Sequence, residues 1–281
     1  MTVTITDDDG GSGSDTVSVA VANLEPDVTL DPTGTVSFPG GDAFVGRIDT
    51  PQDHAASATD PGSDDLTFAW ASGQTTTSFN DGVGPDPFPS PLGIFPFLAS
   101  DGTTVIFATP GVATIGVTVT VTVTVTDDDG GSDGDDAAKV VVGDADGTFG
   151  NGYWKHQYSG DGNPQVDAAS LEGYLDIVNF VSGVFSEHTI LATAADADAV
   201  LSPSGNDKRA VATADLLAGW LHFASGAVSH EAVVPLSGGT TMNFLDVMVE
   251  IEGIVLDDAA PRTELMRASF LAQRLRQASS P

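Results

Sequence analysis

Two runs of aspartate hold the residues of this chain best suited by type and spacing to do chemistry. Asp7, Asp8, Asp9 and Asp15 stand in VTITDDDGGSGSD, and Asp127, Asp128, Asp129, Asp133 and Asp135 stand in VTVTDDDGGSDGD. Three consecutive carboxylates repel one another, and a hard divalent cation relieves that repulsion by taking several oxygens from a flexible loop. The chemistry expected here is calcium binding, weak and of the extracellular kind. The same residue types also serve as plain turn formers at a solvated hairpin tip. Asp60, Asp64 and Asp65 make a third acidic turn.

A second constellation is aromatic. Tyr153, Trp154, His156 and Tyr158 crowd the point where the periodicity of the chain changes. They suit stacking on a sugar ring, or they plug an interface between two domains. The interface is favoured, because large aromatic side chains are usually packed inside. The histidines are His54, His156, His188, His222 and His230, with no His-Glu-x-x-His and no pair four apart. A zinc site or a general base is therefore not expected, and neither a nucleophile elbow nor a phosphate loop is present. The chain is expected not to be an enzyme.

The elements that position the acidic turns repeat. The two Asp-rich segments are offset by 120 residues, and eleven of thirteen aligned positions match or differ only as Ile5 against Val125. Such an offset is one structural unit. Residues 2–23 read as a β-hairpin, with Val3 and Ile5 alternating with Thr, then Val17, Val19 and Val21 after the turn. Strand-like runs follow at 28–30, 35–38, 43–48, 66–70, 103–108, 114–126 and 138–142, punctuated by Pro, Gly and Asp. Short strands with regular turns predict a β-sandwich. The Val/Thr alternation over 116–126 makes a long uncharged strand, whose register the following turn must set and which is a candidate for edge pairing. Five prolines within 82–97 exclude a central strand there and suggest a rigid insertion.

Residues 145–152 read as a Gly/Asp linker. Beyond them the pattern is helical. Leu171, Tyr174, Leu175, Val178, Val181 and Phe185 form one apolar stripe, with Asp167 as its cap. Further helices are expected over 192–200, 208–224, 243–256, and from Pro261 to about 277.

Composition narrows the function. The net charge is −31, and residues 1–150 hold 24 acids against two bases, Arg47 and Lys139. That field repels nucleic acid and anionic membranes, which need basic patches, and it attracts cations. With no cysteine there is no disulfide and no thiolate site. No membrane-spanning run or signal peptide is visible. Because Met1 falls inside a strand, the chain reads as a piece of a longer precursor.

VTVTVTDDDGGS, preceded by DPGSDDLTFAW, resembles the PKD domain, an immunoglobulin-like sandwich of surface proteins, with Trp70 as its core tryptophan. The resemblance covers 2–144. Where the family often turns through Phe-Gly-Asp-Gly after that tryptophan, this chain reads Ala71-Ser72-Gly73-Gln74, so the acidic turn is lost. Gly152-Tyr153-Trp154-Lys155 resembles a GYWK-type opening found after such repeats in bacterial and archaeal surface proteins. Residues 159–175 are similar to a dockerin calcium loop, but Gln157 and Ser159 stand where acids are needed, and an ordinary loop and cap is the better reading.

The expectation is thus a multi-domain chain, with an all-β immunoglobulin-like, PKD-like sandwich followed by a small all-α domain. Residues 1–24 would be the last hairpin of a truncated module, 25–144 a complete module, 145–152 a linker and 153–281 the helical domain. The resemblance implies a non-catalytic extracellular or cell-surface spacer or adhesion module. The alternative is an accessory region of a larger secreted hydrolase that binds carbohydrate or protein. Expected partners are neighbouring modules of the same chain, other surface proteins or polysaccharide.

Overall fold

The computed structural model describes residues 2–18, 20, 22–60, 66–72, 76–80, 104–109, 114–127, 129–160 and 163–278. Strands β1 (Thr2–Thr6) and β2 (Ser12–Thr16) form an antiparallel hairpin of their own. Strands β3 (Asp27–Leu30), β4 (Thr35–Phe38), β5 (Gly41–Arg47), β6 (Gln52–Thr59), β7 (Thr67–Ala71), β8 (Thr76–Asn80), β9 (Thr104–Thr109), β10 (Gly116–Thr126) and β11 (Ser132–Val142) then build two sheets. One has the order β3-β6-β9 and the other β4-β5-β11-β10-β7-β8. Every pairing is antiparallel except β5 with β11.

The period-two pattern decides what lies between the sheets. Val121, Val123 and Val125 of β10 are fully buried, facing Val28, Leu30, Ala56 and Ala58 of the smaller sheet. Phe44, Phe68 and Trp70 complete this core. Bulk on the large sheet meets alanine on β6, so the two inner faces interdigitate. This explains why β6, whose sequence is QDHAASAT, has Thr59 as its single residue of the branched kind by which strands are recognised. His54 of β6 is buried edge-on against Phe44, with ring centroids 4.4 Å apart. Burial, with the nearby Lys139 charge, holds its pKa down at about 4. The edge role expected of β10 is overturned, because β7 and β11 flank it on both sides. The proline-rich stretch 82–97 lies outside the described residues.

The remainder is mainly helical: α1 (Asn151–Tyr158), α2 (Ala168–Val181), α3 (Gly183–Glu187), α4 (Ala194–Leu201), α5 (Lys208–Ala224), α6 (Phe244–Leu256) and α7 (Arg262–Leu275). Local chemistry sets the ends. Asp167, Ser182, Asp207 and Asn243 each accept a backbone N–H as N-cap, and Thr193 with Asp196 forms a capping box. Two expectations are corrected. The region is not all-α, since β12 (Val233–Pro235) and β13 (Thr241–Asn243) make a short hairpin before α6. The stripe from Leu171 to Phe185 is two helices, broken at Ser182. Buried Glu252 of α6 makes the break stable. Its carboxylate accepts from the Ser182 hydroxyl, from Gly183 N at 2.9 Å and from Trp220 Nε1 at 2.8 Å.

The helices cover the outer face of the large sheet, giving three layers. Phe38, Ala43, Val140 and Val142 belong to the same apolar core as the helices. Phe38 packs on Trp220 and Phe223, with centroids 6.2 and 5.4 Å away. Residues 139–142 of β11 are all buried, as a continuous Lys-Val-Val-Val run with cover on both faces must be. Close approach needs glycine at two points: a Cβ on Gly173 would strike the Ile115 carbonyl, and one on Gly40 the Phe180 carbonyl. The 145–152 segment is docked, with Ala145 N donating to Ser225 O at 2.9 Å and the Thr148 hydroxyl to Arg276 O at 3.1 Å.

Candidate functional site

Both acidic turns are held by the same local bonds. In the first, Asp7 N donates to Gly11 O at 2.9 Å and Asp7 Oδ1 accepts from Gly11 N at 2.6 Å. In the second, Asp127 N donates to Gly131 O at 3.0 Å and Asp127 Oδ1 accepts from Gly131 N at 2.7 Å. Gly10 and Gly130 take φ values of 86° and 92°, the left-handed conformation that only glycine adopts without strain. The leading aspartate of each run is therefore a turn-closing group.

The second turn does more. Asp127 Oδ2 accepts from Asn23 Nδ2 at 2.7 Å, which ties the segment leaving the first hairpin to the tip of the second. That bond, with the backbone N–H groups of the turn, holds the Asp127 carboxyl below its usual range. Asp133 Oδ2 accepts from Val28 N at 3.0 Å and Asp135 Oδ2 from Leu30 N at 2.8 Å. The Val28 N–H is the main cause holding the Asp133 carboxyl low. Two carboxylates on β11 thus stand where a strand would otherwise pair with β3. They satisfy its free N–H groups and bridge one sheet to the other. Asp15 Oδ1 accepts from Thr16 N at 2.9 Å. Asp8, Asp9 and Asp129 are exposed. Asp128, Asp64 and Asp65 lie outside the described residues.

Of the nine aspartates expected to bind calcium, Asp127, Asp133 and Asp135 accept hydrogen bonds from protein N–H groups, whereas Asp8, Asp9 and Asp129 face solvent. Among the described residues no three His, Asp or Glu side chains come together in a group able to hold a metal ion.

The aromatic residues divide. Trp154 and Tyr158 are buried in the helical core, Trp154 edge-on to Tyr174 at 6.1 Å and the Tyr158 hydroxyl donating to Leu171 O at 3.1 Å. Burial raises the Tyr158 pKa well above its ordinary value. Tyr153 is half-buried and stacks on Phe149 at 3.9 Å. His156 is exposed. Gln157, read above as a defect in a calcium loop, is buried, and its Oε1 accepts from Gln165 N and Val166 N at 2.7 and 3.1 Å. His188 and Glu187 are exposed at the end of α3, whereas His222 is buried on α5.

The sequence reading missed Asn23, which looks like any polar linker residue, and Asp215, a buried acid within the apolar pattern of α5. Asp215 was detectable in principle, because it shares one helix face with Ala218, Gly219 and His222.

No family model and no curated protein matches this chain. Among solved structures, a chain described as "Structures of Clostridium thermocellum CbhA fibronectin(III)-like modules" is similar at 16% identity and a TM-score of 0.28. The match covers 50% of this chain and 60% of that chain, under two thirds of its length. The sandwich is established by the strand pairing above, independently of that likeness. Among the described residues no helix is long and apolar enough to cross a membrane.

Proposed function

We propose that this chain is a non-catalytic segment of a secreted or cell-surface scaffold, in which a PKD-like, immunoglobulin-like sandwich acts as a spacer or adhesion module. The observation that carries the reading is the repeated hairpin, built twice with one register and joined to its successor through Asn23 and Asp127. A tandem array needs such a joint. The natural partners are neighbouring modules of the same chain, with surface proteins or polysaccharide beyond them. The bonds of the joint are made by protein groups.

A spacer must bear tension, and the strand order suits that task. β5 runs parallel to β11, and β3 meets β11 in the same sense, Val28 with Asp133 and Leu30 with Asp135. Pulling the two ends of the module apart loads these pairs in shear, so their bonds must break together. Stretching single full-length chains between their termini tests this. The reading expects one dominant unfolding event, at a force that drops in Asp133→Ala/Asp135→Ala. Low-force unzipping, identical in the double variant, would contradict a load-bearing role.

A further inference from the structure

A cavity of about 200 Å³ lies where the docked 145–152 segment meets α5 and α7. Asp215 and His222 both line it. They stand seven residues apart on α5, two helical turns, and therefore on one face. The small residues Ala218 and Gly219 between them keep the space open. Asp215 is 8% exposed and His222 2%.

Each carries a buried atom with no hydrogen-bond partner. Asp215 Oδ1 accepts from Asn151 Nδ2 at 2.6 Å, and the Ser269 hydroxyl is a second donor near the carboxylate, but Oδ2 has no partner in good hydrogen-bond geometry; burial raises the carboxyl above its usual range despite these donors and Arg276. His222 Nε2 lies 2.6 Å from Phe149 O and 3.1 Å from Phe149 N, so it donates to the carbonyl in one tautomer and accepts from the N–H in the other. Its unpartnered Nδ1 accepts in the first tautomer and donates in the second. Burial lowers the His222 pKa to about 4, so the ring is neutral at ordinary pH. The cavity thus has a buried carboxylate oxygen and a buried ring nitrogen without hydrogen-bond partners, a costly arrangement unless a group that both donates and accepts supplies them.

The rim is of the opposite kind. Arg276 and Gln273 are exposed there and offer N–H donors. Phe149, partly exposed, forms an aromatic wall backed by Tyr153. A bare cation would satisfy Asp215 but meet Arg276. A bare anion would satisfy Arg276 but meet Asp215. A neutral group with hydroxyls on adjacent carbons donates to the floor and accepts from the rim at once.

From this geometry we infer a binding site for one sugar-ring-sized polyol, with Asp215 accepting a hydroxyl proton, His222 Nδ1 hydrogen-bonded to a second hydroxyl, Arg276 donating to its oxygens and Phe149 against its ring face. The volume admits one ring. The site belongs to the helical half and does not depend on the β-half being a spacer. Its source is either a free monosaccharide or the end unit of a glycan, which share this chemistry.

The test is titration of the full chain with glucose, galactose, mannose and N-acetylglucosamine, and with their oligomers. Ligand-observed NMR and Trp fluorescence give the readout, Trp154 lying 6.0 Å from His222. Butylammonium and acetate serve as charged controls. At least one sugar should saturate in the millimolar range. Asp215→Asn and Arg276→Ala should each weaken it by about tenfold, the loss of a charge-assisted hydrogen bond. Arg276 is exposed, so its variant folds even if the buried one does not. Equal binding of monomer and oligomer supports the free sugar, and tighter binding of the oligomer supports the glycan end. Saturation by no sugar, preference for butylammonium or acetate, or sugar binding that ignores Arg276→Ala would overturn the inference.

Discussion

The chain contains one hairpin in two settings, and the contrast separates what local sequence does from what packing does. In β1–β2 and in β10–β11 the pairing is the same position for position, Thr6 with Ser12 and Thr126 with Ser132. The turn bonds agree to within about 0.1 Å. Asp, Gly and the Val/Thr alternation are sufficient for that shape. Burial is entirely different. Val3 and Ile5 are 61% and 73% exposed, whereas Val123 and Val125 are at 0%. Turn chemistry thus specifies geometry, while the hydrophobic contribution arises only where β3, β6 and β7 cover the strand.

The largest expected difference comes from the apolar face. Val123→Ala should cost about 2 kcal/mol, the worth of a buried valine side chain plus the space it leaves. Val3→Ala should stay within about 0.5 kcal/mol, as exposed substitutions do. Denaturant unfolding followed by Trp fluorescence measures both. Equal effects would mean that the first hairpin is covered in solution.

The carboxylates come next. Asp133→Ala and Asp135→Ala each strip an acceptor from a β3 N–H and should lower the melting temperature measurably, with Asp15→Ala doing nothing. A calorimetric scan of the three variants, with calcium and with chelator, distinguishes this bridge from a metal site. If calcium raised the wild-type melting temperature and the Asp133→Ala/Asp135→Ala pair abolished that rise, the bridge account would fail.

A smaller effect depends on pH. His54 has its pKa held at about 4 in the fold against 6.5 when unfolded. The unfolded chain therefore binds that proton first, and stability drains away as pH falls from 6.5 towards 4. His54→Phe should remove only part of this loss, because His222, also held at about 4 in the fold, contributes a like one. The Asp133 carboxyl, lowered below 3.8, adds a second loss at still lower pH, as pH falls through its folded value. The smallest effect is at the joint. Asn23→Ala should leave stability almost unchanged and free the hairpin to move. Fluorescence anisotropy reports it from a dye on Ser14→Cys, the only thiol in a chain without cysteine.

Much of the fold was readable because it depends on local patterns. The Asp167 cap and the apolar stripe from Leu171 marked α2, Pro261 marked the start of α7, and alternation marked β10. What was hidden depends on distant partners. β6 uses alanine because Phe68 and Trp70 fill its side of the core. α1 begins at a Gly150 N-cap with no side-chain acceptor, so no capping residue announced it. The break at Ser182 is held by Glu252, 70 residues away. Among the candidate site residues, the Asp runs were legible as turns. Their use as acceptors for β3 and Asn23 was not, because those donors lie over 100 residues distant.

The most direct test is backbone hydrogen exchange on the intact chain, comparing the paired amides of β1–β2 with those of β10–β11. The two segments share register and turn, so their intrinsic exchange is similar and only context differs. Protection should be near that of an unfolded peptide in β1–β2 and approach the global unfolding limit at Val123 and Val125. Equal strong protection in both hairpins would contradict the claim that covering strands, rather than the hairpin sequence, stabilise this structure.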